Sequence, residues 1–288
     1  MSTGDLRDYR VVDVFTDRAY AGNPLAVVLD GDGLSTEQMQ SVAREFNLSE
    51  TTFVLPTTTS DATYCVRIFT PGTELPFAGH PSIGTAWTLA QLGRIPIGDV
   101  VQECAAGLMP ITVDDKGALL TGGPPAQSEP LDHTPYLRAL GLNDDDFAGS
   151  PLRICGCGLD WAFLHVRDEA VTRVGLDLAA LGRLDGAGVS VFSFNNGSVH
   201  ARCFAAGVGV PEDPATGSAA LGMGVYLVAA GLVAGEGTSS YEIAQGIEMG
   251  RPSRLSGTVT AAGGRAVQVK VAGGVFEVAT GRISTTFT

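Results

Sequence analysis

The chain has 288 residues, 31 acidic and 18 basic, for a net charge of −13; 44% are hydrophobic and 17% charged. That balance excludes a disordered chain and, at the usual ~150 residues per domain, gives material for one or two sizeable cores. It also excludes nucleic acid and anionic membrane surfaces as partners, since both need a surplus of Lys and Arg.

The opening residues, 1–10, mix Asp and Arg among polar side chains and read as no signal peptide, so the expected location is the cytoplasm. Residues 11–15 and 25–29 are apolar or β-branched runs joined by the turn cluster Gly22-Asn23-Pro24, and read as strands. Residues 35–46 predict a helix, with Ser35 as N-cap and Gln38 completing a capping box. Strands are expected over 51–55 and 62–69, an apolar helix over 80–92 ended by Gly93, and strands over 100–113 and 118–120. The Gly-, Pro- and Ser-rich stretch 122–130 is the best candidate boundary. Beyond it a helix is expected over 131–140, and strands at Ile154 and over 162–166, 189–194 and 199–204. A second apolar helix covers 218–234, followed by strands over 255–260, 266–271 and 275–279. The apolar part of that helix, 219–234, is 16 residues broken by Gly222, Gly224 and Gly231. It falls short of the ~20 that a membrane span needs and reads as a buried core helix. Neither apolar helix has a clean polar face, so each is expected inside a curved sheet.

The five cysteines are odd in number and hold no CxxC, so they read as free thiols of a reducing compartment. Cys155-Gly-Cys157 has no His partner at ligand spacing and reads as strand cysteines, not as a metal site. No metal is expected.

The two apolar helices are entered by matching sequences. Glu74-Leu-Pro76-Phe-Ala-Gly79-His80-Pro-Ser-Ile-Gly84 and Glu212-Asp-Pro214-Ala-Thr-Gly217-Ser218-Ala-Ala-Leu-Gly222 both read E-x-P-x-x-G-(H/S)-x-x-x-G, 138 positions apart. Each follows an R-x-F strand, Arg67-Ile-Phe69 and Arg202-Cys-Phe204. This internal repeat predicts an α/β (α+β) chain of two pseudo-symmetric domains, each a curved sheet or barrel around one apolar helix. The expected domains are 1–124, with about 279–288 returning to it, and 125–278. Helix N-termini present amides without intrahelical partners and roughly half a positive charge. Two such ends converging on one cleft would make a site for an anion, most simply a carboxylate. A phosphate has less support: there is no GxxxxGK(S/T) loop, and Gly207-Val-Gly209 alone is no nucleotide fingerprint.

At these residues the chain resembles the PhzF-type phenazine biosynthesis isomerases. The resemblance is carried by Asn47-Leu-Ser-Glu50-Thr-Thr-Phe53-Val, Arg67-Ile-Phe-Thr-Pro71, Glu74-Leu-Pro-Phe-Ala-Gly-His80-Pro, Glu212-Asp-Pro-Ala-Thr-Gly-Ser218-Ala-Ala and Gln245-Gly-Ile-Glu-Met-Gly-Arg-Pro-Ser253. Asp13-Val-Phe15 with Gly22-Asn-Pro24 matches the family's N-terminal hairpin. The resemblance implies a diaminopimelate-epimerase-like fold, commonly as a homodimer, with the site between the domains. It also implies a cofactor-independent isomerase of secondary metabolism. Its reaction would move a proton on a small cyclic amino or imino carboxylate, best matched by trans-2,3-dihydro-3-hydroxyanthranilate of phenazine formation. An isomerase of a pyrroline or proline-derived carboxylate in another antibiotic pathway is the alternative. The resemblance assigns catalysis to Glu50, His80 and Asp213. It assigns substrate contacts to Ser49, Gly79, Gly217 and Ser218.

Read without the family, Glu50 is an exposed loop carboxylate, His80 a helix-start cap and Asp213 a helix-start acid. Partial burial would suit Glu50 to take and return a proton near neutral pH. A helix N-terminus disfavours an imidazolium at His80, and a nearby carboxylate would restore it; Asp213 is the candidate. His133, His165 and His200 read as structural. Trp87 and Trp161 read as core, with Trp161, after the turn 156–160, open to lining a cleft. The 245–253 segment marks the family without a chemical role of its own. Two further functions compete. A two-cysteine racemase or epimerase would need a Cys at each helix start, where this chain has His80 and Ser218. A non-catalytic binder would have no need of Glu50, His80 and Asp213.

Overall fold

Strands and helices in the computed structural model, which describes residues 6–205 and 210–286, fall into two units. One is Met1–Leu120 with Ala272–Thr288, the other Thr121–Val271. The Gly207-Val-Gly209 triplet lies outside the described residues.

The first unit runs β1 (Leu6–Val14), β2 (Asn23–Val28), α1 (Thr36–Phe46), β3 (Glu50–Leu55), β4 (Tyr64–Phe69), β5 (Glu74–Leu75), α2 (Gly79–Gln91), β6 (Gly98–Cys104), β7 (Gly107–Val113) and β8 (Gly117–Thr121). The second runs β9 (Ala126–Gln127), α3 (Thr134–Ala139), β10 (Arg153–Gly156), β11 (Asp160–His165), α4 (Asp168–Thr172), α5 (Leu178–Leu181), β12 (Val189–Asn195), β13 (Ser198–Ala205), β14 (Val210–Asp213), α6 (Gly217–Ala229), β15 (Gly237–Gln245) and β16 (Ser253–Ala262). A last strand, β17 (Arg265–Ser284), begins in the second unit and ends in the first.

The repeat seen in the sequence is a repeat of topology. In the first unit β1–β2 is antiparallel, β2–β3 parallel, β3–β4 antiparallel, β4–β6 parallel and β6–β7 antiparallel. In the second, β10–β11, β11–β12, β12–β13, β13–β15 and β15–β16 follow the same alternation. Parallel neighbours need a crossover, and in each unit the central helix is that crossover, α2 from β4 to β6 and α6 from β13 to β15. The ring of the first unit closes through β7–β8, β8–β17 and β17–β1, an eight-stranded barrel. Both central helices are buried almost throughout, as sequences apolar on every side require. Neither they nor any other helix among the described residues is long and apolar enough to cross a membrane.

Several boundaries moved for identifiable reasons. The predicted capping box is present at α1: Ser35 Oγ accepts the Gln38 N–H and Gln38 Oε1 accepts the Ser35 N–H. Residues 100–113 are two strands with a turn between them, not one. Pro110 is tolerated in β7 because it pairs with Val101 of β6, while pairing to β8 starts at Ile111. Asn23 and Pro24 belong to β2, not to a turn, and Pro24 likewise precedes the pairing to β3. α3 starts at Thr134, because Leu131 is bridged to Leu152. α6 stops at Ala229, before Gly231 at φ 68°. Conversely, Gly273 and Gly274 do not break β17. A Cβ at Gly273 would lie 2.2 Å from the Phe15 ring, and one at Gly274 2.6 Å from the Thr16 carbonyl oxygen. Glycine sits there because the chain after β1 packs directly on the strand.

Candidate active site

Glu50 and His80 meet in the first unit, and strand register explains why. Glu50 opens β3 opposite Leu25, and Thr52, two residues on, reaches α2 through a 2.8 Å contact between its Oγ1 and that of Thr85. Alternation puts Glu50 on the same face of the strand, toward the first turn of α2. His80 is the second residue of that helix. Its Nε2 lies 3.1 Å from Glu50 Oε2, with side chains 5% and 12% exposed. The contact is a close polar approach that does not meet hydrogen-bond geometry in this structure. On the other side of the ring, Asn23 Nδ2 lies 3.2 Å from His80 Nδ1. Burial pushes the His80 imidazole down to about 3, a shift that favours the neutral ring near pH 7. Gly79 is the buried first residue of α2, and Ala78 before it offers no side-chain cap. Ser49 is half-buried, just after the left-handed Asn47 that ends α1.

In the second unit Asp213 ends β14, and Gly217 and Ser218 open α6. Asp213 Oδ2 accepts from Thr216 Oγ1 at 2.6 Å. Gln245 braces the same turn: its Nε2 donates to the Asp213 carbonyl at 2.7 Å and to Thr216 Oγ1 at 2.9 Å, and its Oε1 accepts the Thr216 N–H at 3.3 Å. This gives the first residue of the 245–253 segment a physical task that the sequence did not disclose. Buried Trp161 donates from Nε1 to Ser218 Oγ at 3.0 Å, which turns the hydroxyl hydrogen away from the indole. Asn23, Gln245 and Trp161 are the site neighbours whose roles sequence reasoning missed. Only their places in the Gly22-Asn-Pro24 and 245–253 motifs, and after the turn 156–160, signalled them.

The remaining repeat identities are structural. Arg67 forks onto Glu74 at 2.7 and 2.6 Å and stands 5.1 Å over the Phe69 ring. Arg202 forks onto Glu212 at 2.8 and 2.9 Å and stands 5.2 Å over Phe204. Each unit thus ties the strand before its central helix to the segment leading into it, by a bidentate ion pair backed by a cation–π contact.

The other histidines have structural contacts. His133 stacks on Phe147, His165 bonds Ser150 and stacks on Phe192, and His200 faces Glu248 and Asp168. All five cysteines are free. Burial pushes Cys155, Cys157 and Cys203 up to about 12 and Cys65 up to about 11. Among the described residues no three His, Cys, Asp or Glu side chains cluster as metal ligands.

Comparison with known proteins decides the family. The profile of the PhzC-PhzF family, described as phenazine biosynthesis-like protein, matches residues 12–281. The chain belongs to the PhzC-PhzF family. An uncharacterized isomerase of Mesorhizobium japonicum is 37% identical over 96% of this chain and 98% of its own length. A trans-2,3-dihydro-3-hydroxyanthranilate isomerase of Pseudomonas aeruginosa is 36% identical over 95% and 98%. A crystal structure of a PhzF-family protein of Bacillus anthracis superposes with a TM-score of 0.88 at 24% identity, over 97% of this chain and 99% of that one, and shows the fold. The chain is therefore an isomerase of the PhzC-PhzF family with the expected diaminopimelate-epimerase-like α/β fold.

Proposed function

We propose that the protein is a cofactor-independent isomerase in which Glu50 takes a proton from, and returns it to, a small cyclic amino or imino carboxylate. The observation that carries this reading is the Glu50 carboxylate set 3.1 Å from a buried, neutral imidazole at the head of α2. An imidazole pushed down to about 3 is a weak base, which favours the carboxylate as the group that takes the proton. A positioned acid–base group of this kind supplies ~10²–10⁴-fold in rate. His80 and Asp213 are assigned to hydrogen bonding that steadies charge on the substrate. Ser49, Gly79, Gly217 and Ser218 are assigned as substrate contacts. The Trp161 bond to Ser218 supports the last, because it leaves the hydroxyl hydrogen to donate. The buried cysteines favour this reading over a two-cysteine racemase, since thiols pushed up to about 12 are poor bases near pH 7.

The proposed substrate is trans-2,3-dihydro-3-hydroxyanthranilate, the compound named for the Pseudomonas aeruginosa relative. The isomerisation would move a proton around the ring to an aminoketone. Turnover assays with this compound and with pyrroline carboxylates test the assignment. Conversion of the dihydroanthranilate is expected; conversion of pyrroline carboxylates alone would contradict it and assign the same residues to the alternative pathway.

A further inference from the structure

We propose that Asn23 is a positioning residue for this reaction: its side-chain amide donates to His80 Nδ1 and thereby fixes the ring hydrogen on Nε2, facing Glu50 Oε2. The inference rests on the reading of Glu50 as the acid–base group.

Backbone geometry places the amide. Gly22 has φ 66°, and a Cβ there would lie 2.3 Å from the Val14 carbonyl oxygen, so the chain turns into β2 tightly against β1. Asn23 then pairs with Val14 and is fully buried. It shares a strand face with Leu25, whose Cδ2 abuts Gly84 of α2. That face delivers Asn23 Nδ2 to 3.2 Å from His80 Nδ1.

The chemistry follows from counting hydrogens. A neutral imidazole has one N–H and one bare nitrogen, and an amide NH₂ only donates. Nδ1, facing the amide, is the bare nitrogen, so the hydrogen is on Nε2, 3.1 Å from Glu50 Oε2. The reverse arrangement would set the Nε2 lone pair against a carboxylate oxygen at that distance, two acceptors in contact. The other buried carboxylate nearby, Asp13 of β1, is turned to the opposite face of its strand, where Oδ2 accepts the Tyr20 N–H at 2.7 Å. The tautomer is thus set between Asn23 and Glu50.

Long-range ¹H–¹⁵N NMR on protein carrying ¹⁵N-histidine reads this directly. The chain has only four histidines, and the His80 signals are those lost in His80→Gln. Near pH 7 the wild type is expected to show a bare Nδ1 and a hydrogen on Nε2; a hydrogen on Nδ1 overturns the proposal, whether or not any variant folds. In folded Asn23→Asp, a carboxylate replaces the donor, and Nδ1 is expected to gain a hydrogen; a bare Nδ1 there overturns it too. In turnover, Asn23→Asp is expected to lower kcat at least about tenfold, with KM held within about threefold, and to add an ionisation near neutral pH. A wild-type profile would contradict the assignment. Turnover retained in Glu50→Gln, with the Nε2 hydrogen in place in the wild type, would remove the catalytic reading of Glu50 while leaving the tautomer standing.

Discussion

His80 shows how burial can set the state of a side chain beside the proposed acid–base group. Desolvation holds its imidazole at about 3, below the ~6.5 of an unfolded chain. Between those values the unfolded chain binds a proton that the folded one does not. Stability from this residue is therefore whole above about pH 6.5 and falls by up to ~1.4 kcal/mol per pH unit as pH drops toward 3. Urea denaturation from pH 7 to pH 4 should show the wild type losing more stability than His80→Gln; equal losses would contradict a buried neutral ring. Glu50 and His80 were legible in the sequence because each sits within a contiguous motif. The tasks of Asn23 and Gln245 were not, because their partners lie 57 and 29 positions away, and only the folded chain brings a side chain to a distant turn.

At the scale of elements, the repeat was legible because it is written in glycines, and the two helices show what those glycines do. A Cβ at Gly222 would lie 2.9 Å from the Cys155 carbonyl oxygen and 3.0 Å from the Phe163 ring. At Gly84 it would meet side-chain methyl groups, those of Leu25 and Val14 at 2.7 Å and of Val12 at 3.3 Å. Methyl groups can move aside and a strand carbonyl cannot. Gly222→Ala should therefore destabilise by ~1–3 kcal/mol despite the better helix propensity of Ala, and Gly84→Ala by less. Chemical denaturation of the two variants tests the order, and the reverse order would contradict it. What the sequence hid at this scale was β15. Its Gly-, Thr- and Ser-rich start masks the alternation that buries Tyr241, Ile243 and Gln245. The overrun of α6 has the opposite cause: apolar residues 232–234 continue the helical composition past the point where Gly231 ends the helix.

At the scale of the whole molecule, the chain returns at its end to the unit in which it began. The barrel of the first unit closes only through β17, which pairs with β1 and β8. A chain cut after Val271 would leave both strands with open edges, a template for aggregation. It should show exposed apolar surface by dye binding and loss of hydrogen-exchange protection in β1 and β8; retained protection there would contradict the closed ring. The acidic balance also bears on function. A net charge of −13 repels an anionic substrate at long range, so the proposed recognition of a carboxylate would have to be local, through helix-end amides and His80. The central claim is that Glu50 moves the proton, and deuterium incorporation from heavy water into trans-2,3-dihydro-3-hydroxyanthranilate tests it most directly. Wild-type protein should turn the compound over with label entering the product, and Glu50→Gln should lose ~10²-fold or more of that rate. Turnover at the wild-type rate in Glu50→Gln would contradict the account.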